Sequence, residues 1–214
     1  SIWEYSPLNC PLCQSHGVQI PGDIYHTCTT CMGIYMDKAY YPSPAQEKNR
    51  YLEHHNNVDD PGYRNFVSPI TRFVFDHYDR NKALGLDFGS GSAPVISKVL
   101  LENGFKVHQF DPFFSPESDV LNLKFDFITC CEVIEHFHDP AKEFELLKNL
   151  LKPSGTLLCM TQLYYDQYPF KNWYYRRDPT HTFIFSHETI EYVANKFNFD
   201  HTVTNNRFIT FVNR

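Results

Sequence analysis

After residue 68 the apolar positions of the chain change period in a regular way. In SPITRFVFDHYDR, Ile70, Phe73 and Val74 follow the i, i+3, i+4 spacing of a helix face, and the amphipathic His77 extends it. Ser68 reads as the N-cap, with Pro69 at the first helical position. Short apolar runs then alternate with helix-period segments. ALGLDF, KVHQFD, FDFITCCEV and TLLCMTQ read as strands. APVISKVLLENG, stopped by Gly104, reads as a helix, as does DPAKEFELLKNLL, capped by Asp139 with Pro140 next. KPSG between the last helix and TLLCMTQ reads as a turn. SHETIEYVANKF is a further helix with Ser186 as cap. Thr189 rather than an acid stands three residues on, so a full capping box is not expected. FDHTVT and RFITFV finish the chain as two strands. Alternation of this kind predicts an α/β fold with a mostly parallel sheet covered on both faces.

Residues 1 to about 45 lack this periodicity and are rich in Pro, Gly, Thr and Cys. They read as a small metal-stabilised module closed by YYPSPAQ. EKNRYLEHHNN predicts a short helix, and VDDPG breaks the chain again. The expected organisation is therefore a module over 1–45, a helical connecting or lid segment over 46–83, and an α/β domain over 84–214.

Composition narrows the class. The chain has 214 residues, 42% of them hydrophobic and 16% aromatic, which describes a globular protein. No apolar run approaches the roughly 18 residues of a membrane span. No basic-then-apolar leader is visible, and the cytoplasm is the expected compartment. A net charge of -6 argues against a large nucleic-acid footprint.

The seven cysteines are unevenly placed. Cys10, Cys13, Cys28 and Cys31 form CPLC and CTTC, whereas Cys130, Cys131 and Cys159 lie in apolar runs. Each C-x-x-C knuckle aims two thiolates at one ion, and two knuckles complete a tetrahedron. This predicts a structural zinc with no open position for catalysis. His16 and His26 are substitute ligands that four cysteines do not require. The module's charge is nearly balanced, with Glu4, Asp23, Asp37 and Glu47 against Lys38, Lys48 and Arg50. That suits a lid or partner-binding element better than a nucleic-acid reader.

In LDFGSGSAPV, a strand enters a tight turn with Gly89 and Gly91 one residue apart, followed by a helix. Such a turn lets backbone approach a ligand beside a helix N-terminus. The third glycine of a dinucleotide fingerprint is replaced by Pro94, and Asp87 would repel a pyrophosphate while suiting a cationic ligand. Together, LDFGSGSA, the FDP ending the second strand, FDFITCCEVIEHFHDP and LLKPSGTLLCMTQ resemble the class I S-adenosylmethionine-dependent methyltransferases over about residues 84–165.

The resemblance implies a Rossmann-like sheet with an antiparallel last strand, and S-adenosylmethionine as cofactor. Asp87, Gly89, Ser90 and Gly91 would surround its methionine part. Asp111, followed by Pro112, would accept the ribose hydroxyls, and Cys131 and Glu132 would lie against the cofactor at the end of the fourth strand. Only thirteen residues separate Asp111 from Phe125, too few for the family's usual helix and third strand, so a reduced third strand is expected. Asp119, Phe113 and Phe114 are candidates for the adenine pocket. Cys130 reads as buried strand packing.

For the chemistry, His136 directly after the fourth strand is the first candidate base. The segment FKNWYYRRDPTHTFIFS supplies a second region, similar to a W-x-Y-R-x-D-P-T-H stretch in bacterial methyltransferases of mostly unknown substrate. There Trp173, Tyr174 and Tyr175 form a candidate aromatic wall. Arg176 and Arg177 are candidates for holding an acid group, and His181 is a candidate base. Tyr51, His54 and His55 are minor candidates for the roof, with a solvated helix face as the plainer reading.

The expected function is methyl transfer to a small, acidic or sugar-like acceptor. Alternatives are an RNA methyltransferase that uses the zinc module for substrate contact, and a non-catalytic zinc-ribbon interaction protein. A dinucleotide oxidoreductase is disfavoured by Pro94.

Overall fold

The computed structural model of the chain describes residues 8–166 and 168–214. The first seven residues of the predicted module, Glu4 among them, lie outside the described residues. Three short strands come first: β1 (Gly17–Gln19), β2 (Tyr25–Cys28) and β3 (Ile34–Met36). Helices α1 (Pro44–Leu52), α2 (Pro61–Phe66) and α3 (Ser68–His77) connect them to the alternating part. That part runs β4 (Leu84–Phe88), α4 (Val95–Glu102), β5 (Lys106–Phe110), β6 (Phe125–Cys131), α5 (Pro140–Leu150), β7 (Leu151–Met160), β8 (Phe183–Ile184), α6 (His187–Lys196), β9 (Phe199–Thr204) and β10 (Phe208–Asn213).

The main sheet has the order β5-β4-β6-β7-β10-β9. β5, β4, β6 and β7 are mutually parallel, β10 runs antiparallel between β7 and β9, and β9 at the edge returns to the common direction. Both faces are covered, and the pleat sorts the side chains. Ile128 and Cys130 of β6 with Leu157 and Cys159 of β7 pack under α5 and α6. Phe127, Leu158 and Met160, the alternate positions, pack under α3 and α4. The reduced third strand is observed: residues between β5 and β6 form an isolated bridge, Asp111 to Ser115, and a 3-10 turn over Ser118–Asn122.

Local chemistry explains most boundaries and corrects several expectations. α3 takes Val67 as its N-cap, without a side-chain bond, so Ser68 is already helical. VDDPG does not only break the chain. Asp60 accepts the N–H of Gly62 and Pro61 fills the first turn, which starts α2. α6 does carry a capping box, because the Thr189 hydroxyl accepts the Ser186 N–H at 3.2 Å as an acid would. KPSG is not a turn but part of β7, where Ser154 takes φ +64° and the register against β6 shifts between Phe125 and Phe127.

The cysteine-bearing strands form a second sheet of order β1-β2-β3-β8. Its last strand comes from far along the chain: Ile34 pairs with Ile184 and Tyr35 with Phe183. Cys10, Cys28 and Cys31 also share one apolar core with α5 and α6. Segment 1–45 is thus completed by residues of segment 84–214. No described helix is long and apolar enough to cross a membrane.

Candidate active site

A cavity of about 1060 Å³ opens along the carboxyl ends of β4, β5 and β6. One half is built by the glycine turn. Gly89 and Gly91 have φ +73° and +71°, which only glycine adopts without strain. The Gly89 N–H bonds the Phe110 carbonyl at 2.7 Å, and the Gly91 N–H bonds the Asp111 carboxylate at 2.8 Å. The other Asp111 oxygen accepts the N–H groups of Phe113 and Phe114 at 2.9 and 3.1 Å. The turn and the end of β5 are therefore locked together.

A Cβ on Gly91 would meet no atom within 4 Å, so the turn leaves open space in front of it. Beside it, the buried Ser90 hydroxyl has no hydrogen-bond partner among the described residues. An open cradle with an orphaned hydroxyl and a fixed carboxylate fits a cofactor with polar groups along its length. Pro112, Phe113, Phe114, Cys131 and Glu132 also line this half, whereas Asp119 does not.

Asp87 is a correction. It does not line the cavity but sits behind the turn, accepting the Ser97 hydroxyl at 2.7 Å and the Thr129 hydroxyl at 3.3 Å. Burial raises its pKa to about 6, against these hydrogen bonds. Its observed contacts brace the start of α4 rather than face a ligand.

The other half of the cavity gathers the candidate bases. His136 follows β6 in a 3-10 turn and is half-buried. Its Nδ1 lies 3.0 Å from the Thr180 carbonyl, which can only accept, so Nδ1 carries the proton and Nε2 the lone pair. His181 repeats the arrangement, with Nδ1 2.6 Å from the Tyr175 carbonyl. The two rings stand edge to face at 4.8 Å. Burial, and then the neighbouring His181, lowers the pKa of His136 to about 3, and burial lowers that of His181. Both imidazoles are neutral near pH 7.

Between them lies a residue that the sequence pattern did not single out. Glu135 is fully buried, and neither carboxyl oxygen has a hydrogen-bond partner among the described residues. Burial and then the Glu132 charge raise its pKa well above the usual carboxylate range. One donor atom each from Glu135, His136 and His181 lie within 4.8 Å of one another. The signal in the sequence was an acid three residues after Glu132 in an otherwise apolar turn.

The connecting segment forms the roof. Tyr51 is half-buried, its hydroxyl 3.3 Å from His136 Nδ1, and His54 also lines the cavity, while His55 is exposed and outside it. Glu47 pairs with His138 at 2.8 Å on the same wall. Of the aromatic segment, Tyr174 and Tyr175 line the cavity. The Tyr175 hydroxyl donates to Glu132 at 2.5 Å, and Arg207 holds the second Glu132 oxygen at 3.2 Å.

Trp173 and Arg176 are corrections. Neither lines the cavity. Trp173 packs with Tyr25, Met36 and Phe170 behind the wall, and Arg176 is held by Asp23 at 2.6 and 3.2 Å. A bidentate partner buried at the carboxylate end fixes the guanidinium away from the cleft. The cationic side chains that line the cavity are Arg50, Lys142 and Arg177, and of these Arg50 is held by Asp178 at 3.2 Å.

The four module cysteines converge. Their Sγ atoms lie within 4.8 Å of one another, with Cys10–Cys31 at 3.6 Å and Cys13–Cys28 at 3.3 Å. A tetrahedron with Zn–S bonds of about 2.3 Å has edges of about 3.8 Å. The knuckles are alike. The residue after each second cysteine, Gln14 or Met32, has positive φ, and the amides of Thr30, Cys31 and Gly33 point at sulfur. His26 stacks on Tyr35 and is not needed as a ligand. These residues fit a tetrahedral thiolate-binding metal.

The fold and the cleft together define a class I S-adenosylmethionine-dependent methyltransferase. The sequence model of the methyltransferase-domain family matches residues 61–203, and the chain belongs to that family. A ubiquinone biosynthesis O-methyltransferase of Pasteurella multocida is 31% identical over 86 residues, covering 36% of each chain. The Haemophilus ducreyi protein of the same name is 32% identical over 83 residues, covering 36% of this chain and 34% of that one. The chain thus matches only about a third of the length of these curated relatives. Among solved structures, magnesium protoporphyrin IX methyltransferase of Synechocystis shares the fold at TM-score 0.52 and 14% identity, over 83% of this chain and 95% of that one. Human N-acetylserotonin methyltransferase does so at TM-score 0.51 and 15% identity, over 82% and 58%.

Proposed function

We propose that this chain methylates a small-molecule acceptor whose nucleophile carries a proton, most simply an oxygen. The observation that carries this reading is that the glycine turn and the His136–His181 pair open into one cavity. At about 1060 Å³ it has room for a cofactor and an acceptor together. When bound, S-adenosylmethionine supplies a methyl group activated by its sulfonium. Gly89, Ser90, Gly91 and Asp111 hold the cofactor half. In the other half, Nε2 of neutral His136 or His181 accepts the proton that the nucleophile loses as its bond to methyl forms. Tyr51, Tyr174 and Tyr175 orient the acceptor and exclude water, and such positioning is worth about 7–11 kcal/mol in well-oriented model reactions.

Several features support the acceptor class. The named relatives are O-methyltransferases of ubiquinone biosynthesis. The net charge of -6 favours a small molecule over RNA. Arg177 and Lys142 take over the acid-binding role expected of Arg176. The four cysteines hold a structural zinc. Thiolates kept free for zinc suit a reducing compartment such as the cytoplasm.

The test is calorimetric titration with S-adenosylhomocysteine, beside NADH, followed by a mass-spectrometric screen of phenolic and hydroxy-acid acceptors. Micromolar binding of the first ligand alone supports the reading. No binding of S-adenosylhomocysteine to the zinc-loaded chain overturns it.

A further inference from the structure

The wall that carries His181 is built on the cysteine-bearing sheet. Tyr25 of β2 is fully buried, three residues before Cys28, and its hydroxyl donates to the His181 carbonyl at 2.6 Å. The next residue, Thr182, is gripped from both sides. Its carbonyl accepts the Met36 N–H of β3 at 2.9 Å, and its N–H and hydroxyl reach the carbonyls of Glu135 and Phe137 at 3.0 and 2.9 Å. β8 follows at once and pairs with β3. On the other side of His181, Asp23 clamps Arg176. The backbone of His181 and Thr182 is thereby fastened to β2 and β3, and the Arg176 side chain five residues earlier to the turn before β2. The glycine turn shares none of these contacts and is tied to β5 through Phe110 and Asp111, and the wall meets the cofactor half through the Tyr175 hydroxyl on Glu132.

We propose that the zinc-binding sheet is the scaffold of the acceptor wall, with Tyr25 as the residue that positions His181. This rests on the reading of the cleft as a methyl-transfer site and of the four cysteines as a zinc site. β2 ends at Cys28 and β3 begins three residues after Cys31, so a metal on the knuckles fixes the hairpin that carries Tyr25. Zinc loading then sets the place of His181, and with it the spacing to His136 and Glu135, while leaving the cofactor cradle as it is.

The test needs no acceptor. Imidazole proton–nitrogen NMR spectra are recorded on the zinc-loaded, nitrogen-labelled chain, with His136→Gln and His181→Gln used to assign the two rings. Tyr25→Phe removes one hydroxyl and keeps the ring that packs on Phe170. It is expected to retain one zinc per chain and to bind S-adenosylhomocysteine within twofold of the native chain. The His181 resonances should shift or broaden, with those of His201 on β9 unmoved. Withdrawing zinc with a chelator should produce the same change more strongly, reversed when zinc is returned, again with cofactor-analogue binding held within about threefold.

His181 signals that stay in place in Tyr25→Phe, or after zinc withdrawal, overturn the proposal. So does zinc withdrawal that abolishes S-adenosylhomocysteine binding or unfolds the chain, because zinc then supports the whole fold rather than the acceptor wall. If the native chain binds no S-adenosylhomocysteine, the methyltransferase reading fails, whereas the link from Tyr25 to His181 is still decided by the spectra.

Discussion

Asp111 accepts the backbone N–H of Gly91 at 2.8 Å, so a side chain at the end of one strand sets the shape of the turn after its neighbour. The carboxylate acts twice, holding the turn and presenting negative charge to the cavity. Asp111→Asn keeps an acceptor but loses the charge, and is expected to weaken S-adenosylhomocysteine about tenfold. Asp111→Ala loses both and should weaken it about a hundredfold, since hydrogen bonds involving charge contribute roughly 1.5–3 kcal/mol. Titration calorimetry reads both.

The two glycines of the turn should respond differently. A Cβ at Gly89 would stand 2.5 Å from the Val133 side chain, whereas at Gly91 it would stand in open space. Both positions carry the strain of positive φ, about 1 kcal/mol or more. Gly91→Ala should therefore cost about that much stability but weaken the cofactor analogue strongly, because the methyl group enters the cradle. Gly89→Ala should cost more stability. Chemical denaturation beside calorimetry separates the two effects.

Arg176 and Arg177 are adjacent in sequence and opposite in consequence. Arg176→Ala leaves Asp23 buried and unpaired, and is expected to destabilise the fold by about 3 kcal/mol. Arg177→Ala should change stability by less than about 0.5 kcal/mol and act on acceptor binding alone. Thermal melts of the two variants are enough to decide this.

Acid should reveal the neutral state of half-buried His136. The pKa of His136 falls from 6.5 to about 3 on folding. Between those values the unfolded chain binds the proton first, so stability present above pH 6.5 is lost as the pH falls towards 3. His136→Gln removes this contribution. Compared with the native chain, the variant should gain roughly 2 kcal/mol in relative stability between pH 7.5 and 4.5. Denaturation curves at the two pH values provide the measurement, and an unchanged difference would count against a buried neutral His136.

Cys28→Ser should lower the bound zinc well below one per chain, measured by release to a chromogenic chelator. A zinc-finger peptide depends on its metal for folding altogether, whereas these cysteines also share a core with α5 and α6, so the unfolding midpoint should fall while the chain stays folded at 25 °C.

The sheet was legible because apolar period and β-branched or aromatic runs coincide. FDFITCC shows the buried strand and DPAKEFELL the capped helix without further help. The placing of Gly89, Gly91, Asp111 and Glu132 along one cavity was legible for the same reason, since strand boundaries put them at neighbouring strand ends. What failed was whatever depends on a long-range partner. Nothing local to Arg176 tells that Asp23 claims it, and nothing local to Asp87 tells that Ser97 does. Glu135 was hidden because an acid beside His136 and His138 reads as solvent-facing, and its apolar neighbours Val133, Ile134 and Phe137 tell of burial only once the fold is known. KPSG reads as a turn in isolation, and only pairing with β6 converts it to a bulged strand.

The pairing of β3 with β8 also fixes an order of events. The cysteine knuckles leave the ribosome before β4, and all four thiols are present once Cys31 has emerged. Their sheet nevertheless stays one strand short until residues 183–184 have been made, after the glycine turn and β4 to β7. During synthesis the module carries an unpaired edge along β3, a surface prone to wrong pairing until its own chain arrives to cover it.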